Sequence, residues 1–240
     1  MENPQAMVTA HGTMYGVGVG PGDPDLLTVK AAQLIRRSSV IAYLAANGGH
    51  STALSIAKQY IPMTARHIVI DMPMRIEREP GEHAYDHGAR SIAIELEKGH
   101  DVVVLCEGDP FFYGSFIYLF KRLSDRYECQ IVPGITALTA SAAALRQPLS
   151  ARDTIVKVVP ATLTDERLKN ELTKAETVAI IKVGRHFGRV RNILTSLNLQ
   201  SNSYVVIRAT QADQSIHRLE ELSADAIPYF STIMVLAKTL

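Results

Sequence analysis

Four glycines alternate through the segment MYGVGVGPGD at residues 14–23: Gly16, Gly18, Gly20 and Gly22. Glycines between a strand and a helix let a backbone approach a phosphate at the helix N-terminus, so a dinucleotide reading has to be tested. The spacing rejects it. Counting from Gly16 the sixth position is Pro21, and from Gly18 it is Asp23, so G-x-G-x-x-G is not met. No glycine here is followed by Lys and Ser/Thr at P-loop spacing either, which removes the main support for nucleoside triphosphate chemistry. Two readings remain: a tight turn that needs unusual dihedrals, stiffened by Pro21 and Pro24, or a close approach to some other ligand.

A second chemically dense stretch is EGDPFFYG at residues 107–114, directly after the apolar run VVVLC. Ligands of open α/β sheets bind outside the carboxyl ends of the strands, where such a loop would lie. Asp109 can accept hydrogen bonds from ribose hydroxyls or attract a cation, and Phe112 or Tyr113 can contact an adenine or a cationic sulfur. His83 and His87 stand four apart on a helical pattern, the spacing that turns two imidazoles to one face. They lack a third convincing ligand, so no metal site is assigned. With Tyr85 and Tyr113 they are instead candidates for a catalytic base, each also readable as a wall or surface residue.

Positioning these residues requires a regular scaffold. Short β-branched runs at residues 14–19, 40–44, 67–71, 101–106 and 128–132 alternate with helical patterns at 25–37 and 82–98, the second ending at Gly99. The alternation predicts a mainly parallel α/β sheet. After Pro133-Gly134 an alanine-rich helix over 135–145 precedes strands near 154–159, 177–183, 204–208 and 232–237. The fold class is therefore α/β, as two α/β domains, 1–132 and 133–240, with a cleft between them as the expected ligand site.

Composition narrows the function. The 240 residues are 47% hydrophobic and 20% charged, enough for a substantial core. With 25 basic and 24 acidic side chains the formal net charge is +1, and 6% of residues are aromatic, giving no basic, aromatic-studded surface for nucleic acid. No apolar stretch approaches the roughly 18 residues that span a bilayer, and no secretory leader pattern opens the chain, so a cytoplasmic location without membrane contact is expected. Cys106 and Cys129 lie in or beside apolar runs and read as small hydrophobes.

GVGPGDPDLLT ending at Thr28, EGDPFFYG at 107–114, VPGITALTASAA at 132–143 and PAT at 160–162 together resemble, in order and spacing, the tetrapyrrole (corrin/porphyrin) methyltransferase superfamily. The match runs over essentially the whole chain. Within it the tract 23–37, the segment 85–88 and IIKVGRHF at 180–187 are most similar to the precorrin-2 C20-methyltransferases of cobalamin biosynthesis. The resemblance implies a homodimer that binds S-adenosylmethionine and methylates C20 of precorrin-2, giving precorrin-3A. It leaves open the cobalt-containing analogue of the anaerobic route, a histidine of a translation factor, a ribosomal RNA ribose, or a non-catalytic sensor of the same fold.

Carried over by motif, the cofactor contacts implied are Pro21, the Gly108-Asp109-Pro110 loop with Phe112 and Tyr113, and Thr136-Ala137. Pro160, Ala161, Thr162, Val183, Ala209 and Thr210 complete the set from the second half. Val183 stands where methionine is frequent in the superfamily, and Ala209 where glycine is. A substrate with eight carboxylates calls for local cations, and arginine suits bidentate carboxylate recognition. Arg75, Arg78, Lys182, Arg185 and His186 are the expected substrate-binding residues.

Overall fold

The computed structural model describes residues 11–46, 49–73 and 78–237, with the side chains of 78–80 left aside. The chain divides into two compact units, Met1–Ile135 and Thr136–Leu240.

Unit 1 is built from β1 (Met14–Gly18), α1 (Val29–Arg36), β2 (Val40–Ala46), α2 (Thr52–Ala57), β3 (Arg66–Met72), α3 (Arg78–Glu97), β4 (Val102–Cys106), α4 (Phe116–Leu123) and β5 (Cys129–Val132). Its strands pair in parallel in the order β3-β2-β4-β1-β5. A parallel sheet has helices on both faces, so its central strands read as unbroken apolar runs. VVVLC in β4 is buried at all five positions. Val102, Val104 and Cys106 pack with Ile92 and Leu96 of α3 and Leu119 and Leu123 of α4. Val103 and Leu105 pack on the opposite side with Leu34 and Ile35 of α1 and Ile56 of α2.

The helix expected over 25–37 begins later. Thr28 is the N-cap, its hydroxyl accepting from the Ala31 amide at 3.1 Å, and residues 24–26 form a separate 3-10 turn capped by Asp23. Threonine in extended backbone competes well for that amide and sets the helix start. Both cysteines are free thiols; Cys106 is buried, and burial pushes Cys129 up to about 11, with Glu128 adding to the shift.

Unit 2 contains α5 (Ala137–Leu145), β6 (Val156–Pro160), α6 (Asp165–Thr173), β7 (Thr177–Ile181), α7 (Phe187–Ser196), β8 (Ser203–Ile207), β9 (Ser215–Arg218) and β10 (Ser231–Val235). The sheet order is β6-β7-β10-β8-β9, and only β6 and β7 are parallel. The parallel arrangement expected for the first sheet thus does not extend to the second, because β10 returns between β7 and β8 and pairs antiparallel with both. Ala140 of α5 packs on one face with Ala179, Val206 and Met234, while Leu168 of α6 and Val190 of α7 cover the other with Ile180 and Val205. Among the described residues no helix is long and apolar enough to cross a membrane.

Candidate functional site

In unit 1 the connection leaving β2 travels through α2 to β3, at one edge of the sheet, over one face. The connection leaving the adjacent β4 travels through α4 to β5, at the other edge, over the opposite face. Adjacent strands whose connections diverge this way create a crevice at their carboxyl ends, the usual ligand position in open α/β sheets.

The three residues that follow β4 organise this end of the sheet. The partly buried Glu107 turns back toward α2, its Oε1 accepting the Ala53 N–H at 3.1 Å. Gly108 forms a two-way bridge with Gly20 in the loop after β1, its N–H donating to the Gly20 carbonyl at 2.8 Å and its carbonyl accepting at 3.3 Å. Asp109 reaches the loop after β5: Oδ2 accepts the Gly134 N–H at 3.0 Å, and Oδ1 accepts the Phe111 N–H at 2.9 Å. Three consecutive residues thereby hold the loops of three different strands.

Glycine is required here for close approach. A Cβ on Gly18 would lie 2.6 Å from both the Gly108 carbonyl oxygen and the Gly134 nitrogen, and one on Gly134 would lie 2.0 Å from that same oxygen. All of these atoms are backbone and cannot swing aside. The glycine turn read first from the sequence is therefore a packing junction with the 107–109 and 133–134 loops.

Beyond Asp109 the chain presents aromatics. Pro110 is buried, Phe112 is partly buried and Tyr113 is exposed. The Phe112 and Tyr113 rings meet edge to face at 5.3 Å. Tyr113 has a φ of 57°, a left-handed conformation unfavourable for a side chain this size. Pro21 is partly buried in the loop after β1.

Unit 2 has its own loop-rich edge, where β6, β7 and β8 end on the same side of their sheet. Lys182 (φ 56°), Arg208 (51°) and Thr210 (66°) all adopt left-handed backbone there. Such conformations carry roughly 1–3 kcal/mol of strain each and concentrate at functional sites. The Thr210 amide is held by Gln214 Oε1 at 2.6 Å. Ala161 and Val183 are fully buried, and Ala209 nearly so, so what these positions can offer a ligand is chiefly main chain. Pro160 ends β6 and Thr162 is exposed just beyond it. Thr136 caps α5 and Ala137 is its exposed first residue.

The same edge carries cations. Lys182 and Arg185 are exposed and His186 is partly buried. Burial, then the Arg185 and Arg189 charges, hold the His186 imidazole below its usual range. Arg189 pairs with Asp165 at 2.5 Å and also donates to the Ala161 carbonyl, while Arg208 pairs with Asp213.

Other expected residues fall elsewhere. Tyr85 is buried in the α3 face of the unit 1 core and stacks on Tyr118 of α4 at 4.7 Å. His83 and His87 are exposed on α3. Arg75 lies outside the described residues, as does the side chain of Arg78. Among the described residues no cluster of three or more His, Cys, Asp or Glu side chains is placed to hold a metal ion. Sequence reasoning missed Glu107 as an organiser of the loops, although an acidic residue directly after an all-apolar strand was the available signal. It also missed Arg122, which joins α4 to α3 by donating to Asp86 at 2.7 Å and Glu82 at 2.6 Å.

Comparison with known proteins fits this arrangement. The chain is 37% identical over 236 residues to the cobalamin biosynthesis protein CobIJ of Mycobacterium tuberculosis, covering 95% of the chain but 46% of that longer protein. It thus spans about half the length of that relative. It is 32% identical to a precorrin-2 C(20)-methyltransferase of Sinorhizobium, covering 93% of the chain and 95% of the relative. A cobalt-precorrin-2 C(20)-methyltransferase of Salmonella typhimurium is 29% identical, with 94% and 96% covered. Among solved structures, the uroporphyrin-III C-methyl transferase of Thermus thermophilus complexed with S-adenosylhomocysteine superimposes with a TM-score of 0.67. It covers 94% of this chain and 92% of its own, at 20% identity, a likeness of fold. The family model for Tetrapyrrole (Corrin/Porphyrin) Methylases matches residues 13–223, a span that includes the glycine junction, the 107–114 loop and the strained edge of unit 2, and the chain belongs to that family.

Proposed function

We propose that the protein transfers a methyl group from S-adenosylmethionine to C20 of precorrin-2, yielding precorrin-3A. The observation that carries this reading is the 32% identity to a precorrin-2 C(20)-methyltransferase over nearly the full length of both chains. The residues of these loops fit the methyl donor. Tyr113 and Phe112 offer ring faces to adenine or a sulfonium, and the buried Ala161 and Val183 offer main-chain groups beside strained backbone. The proposed cofactor contacts remain Pro21, Gly108–Pro110, Phe112, Tyr113, Thr136, Ala137, Pro160–Thr162, Val183, Ala209 and Thr210. Asp109 also shapes the loop, its carboxylate accepting two amides of the protein's own backbone.

When bound, the cofactor supplies a methyl carbon on a positively charged sulfur, already a good leaving group. The protein's contribution is alignment, which can be worth roughly 7–11 kcal/mol. In the proposed reaction C20 would form the new bond to the methyl carbon with S-adenosylhomocysteine as the leaving group, and C20 would give up its proton to a base or water. Lys182, Arg185 and His186 are proposed to meet substrate carboxylates. The proposal also takes the protein as cytoplasmic and as a homodimer, the dimer supported by the exposed apolar side chains Phe111, Tyr118 and Ile94 on unit 1.

The 29% identity to the Salmonella enzyme favours cobalt-precorrin-2 as a second substrate reading. Anaerobic incubation with methyl-labelled S-adenosylmethionine and each substrate in turn decides. Label in the precorrin-2 product supports the first reading, label in the cobalt complex alone replaces it with the second, and label in neither overturns both. Sedimentation of a monomer at micromolar concentration would overturn the dimer.

A further inference from the structure

We infer that Glu107 is a positioning residue for the methyl-donor site, locking the Gly108–Pro110 loop to the start of α2 across the crevice between β2 and β4. The inference rests on the cofactor reading above.

Three features carry it. Glu107 sits immediately after β4, one residue before the loop assigned to the cofactor, and its carboxylate reaches a backbone amide 54 residues away in sequence. It crosses between the segments that follow two adjacent strands whose connections diverge. The start of α2 is already capped without it, because the buried Ser51 accepts from the Leu54 amide at 3.3 Å. Ser51 serves the Leu54 amide, and the neighbouring Ala53 amide of the same first turn goes to the partly buried Glu107 carboxylate, which reaches it from the segment after another strand. A serine or asparagine nearby would serve at less desolvation cost.

The surroundings fit a rigid tether. His50 precedes α2 and its Nε2 lies 3.0 Å from Ser55 Oγ, Asp109 follows in the same loop, and the Cys106 thiol lies on the strand behind. With the Gly20 bridge and the Gly134 bond, the tether fixes the cofactor loop from a third direction. A loop fixed before the ligand arrives loses less freedom on binding, so affinity rises without a new contact.

The test is calorimetric titration of S-adenosylmethionine into the full chain and into Glu107→Ala, Glu107→Gln and Ser51→Ala. Glu107→Ala should bind about tenfold or more weakly, a loss of roughly 1.4 kcal/mol or more. Glu107→Gln keeps a carbonyl acceptor of the same reach and should bind within about threefold of the unmodified protein. Ser51→Ala should lower the melting temperature while leaving affinity unchanged, because it weakens α2 without cutting the tether. Affinity within about twofold for Glu107→Ala, or an equal loss in Ser51→Ala, overturns the inference and leaves the cofactor reading intact. An unmodified protein that binds no S-adenosylmethionine overturns the cofactor reading itself.

Discussion

The side chain of Asp109 and the backbone of Gly134 join the loops after β4 and β5, with Oδ2 accepting the Gly134 amide at 3.0 Å. Its other oxygen holds the Phe111 amide at 2.9 Å, so the carboxylate is occupied by the protein's own backbone. Asp109→Ala strips both amides of their acceptor and should cost about 1–3 kcal/mol, with S-adenosylmethionine bound at least about tenfold more weakly. Asp109→Asn, which keeps one acceptor oxygen, should fall between. Calorimetry and thermal melts on the same samples check this. An Asn variant as weak as Ala with an unchanged melt would mean that the negative charge itself meets the ligand.

The Gly134 position leaves no room for any side chain. Because its Cβ would stand 2.0 Å from a backbone oxygen, Gly134→Ala should destabilise unit 1 by about 3 kcal/mol or more. Gly81, inside α3, is the control: among the described residues a Cβ there meets Met72 Sδ alone, at 3.7 Å, and Gly81→Ala should gain roughly 0.5–1 kcal/mol from helix propensity. Circular dichroism melts should move in opposite directions, and a Gly134→Ala melt at the unmodified temperature would refute the close packing.

Glu107 makes a pH prediction. Burial pushes its carboxyl above the usual range, against the opposing pull of its own amide, the Ala53 amide and His50. A carboxyl raised in the folded state binds its proton more tightly there than in the unfolded chain. The associated stability is fully present below the unfolded value and is lost as pH rises through the folded one. Glu107→Gln, uncharged at every pH, should therefore melt higher than the unmodified protein at pH 8, by about 2–4 °C for each kcal/mol relieved. The difference should vanish on acidification below the ordinary glutamate range. A Gln variant that melts lower at pH 8 would show that the charge is stabilised in place.

Tyr85 separates packing from catalysis. Its ring stacks on Tyr118 and the Arg122 guanidinium lies 5.7 Å from its centre, a setting that explains the residue without proton transfer. Tyr85→Phe should hold kcat within about threefold, while Tyr85→Ala should cost about 3–5 kcal/mol of stability through the cavity it leaves. A Phe variant with a normal melt and a kcat reduced about a hundredfold would restore the catalytic-base reading.

Much of the scaffold was legible because burial writes itself into residue order. VVVLC announces a strand covered on both faces, and the alternation of strand and helix through residue 132 announces a parallel sheet. The strand β9 was not legible: SIHR sits at a sheet edge with Ile216 and Arg218 exposed, so nothing in its pattern marks it. The six residues of α2 are too few to show a period. The antiparallel return of β10 between β7 and β8 depends on contacts far apart in the chain. At the candidate site, the glycines and the Gly-Asp-Pro loop stood out by type. Their actual relation, glycine packed on glycine and carboxylates turned onto distant amides, is tertiary and has no local signature.

The loop closures made by Glu107, Gly108 and Asp109 join residues 54, 88 and 25 positions apart. Each closes a long loop and so meets its entropy cost before the contact repays it. A nascent chain that has not yet released Gly134 from the ribosome lacks one of the three. Competence to hold a ligand at this edge thus arrives at the end of the first unit's folding, and a bound ligand would in turn report that the unit is complete.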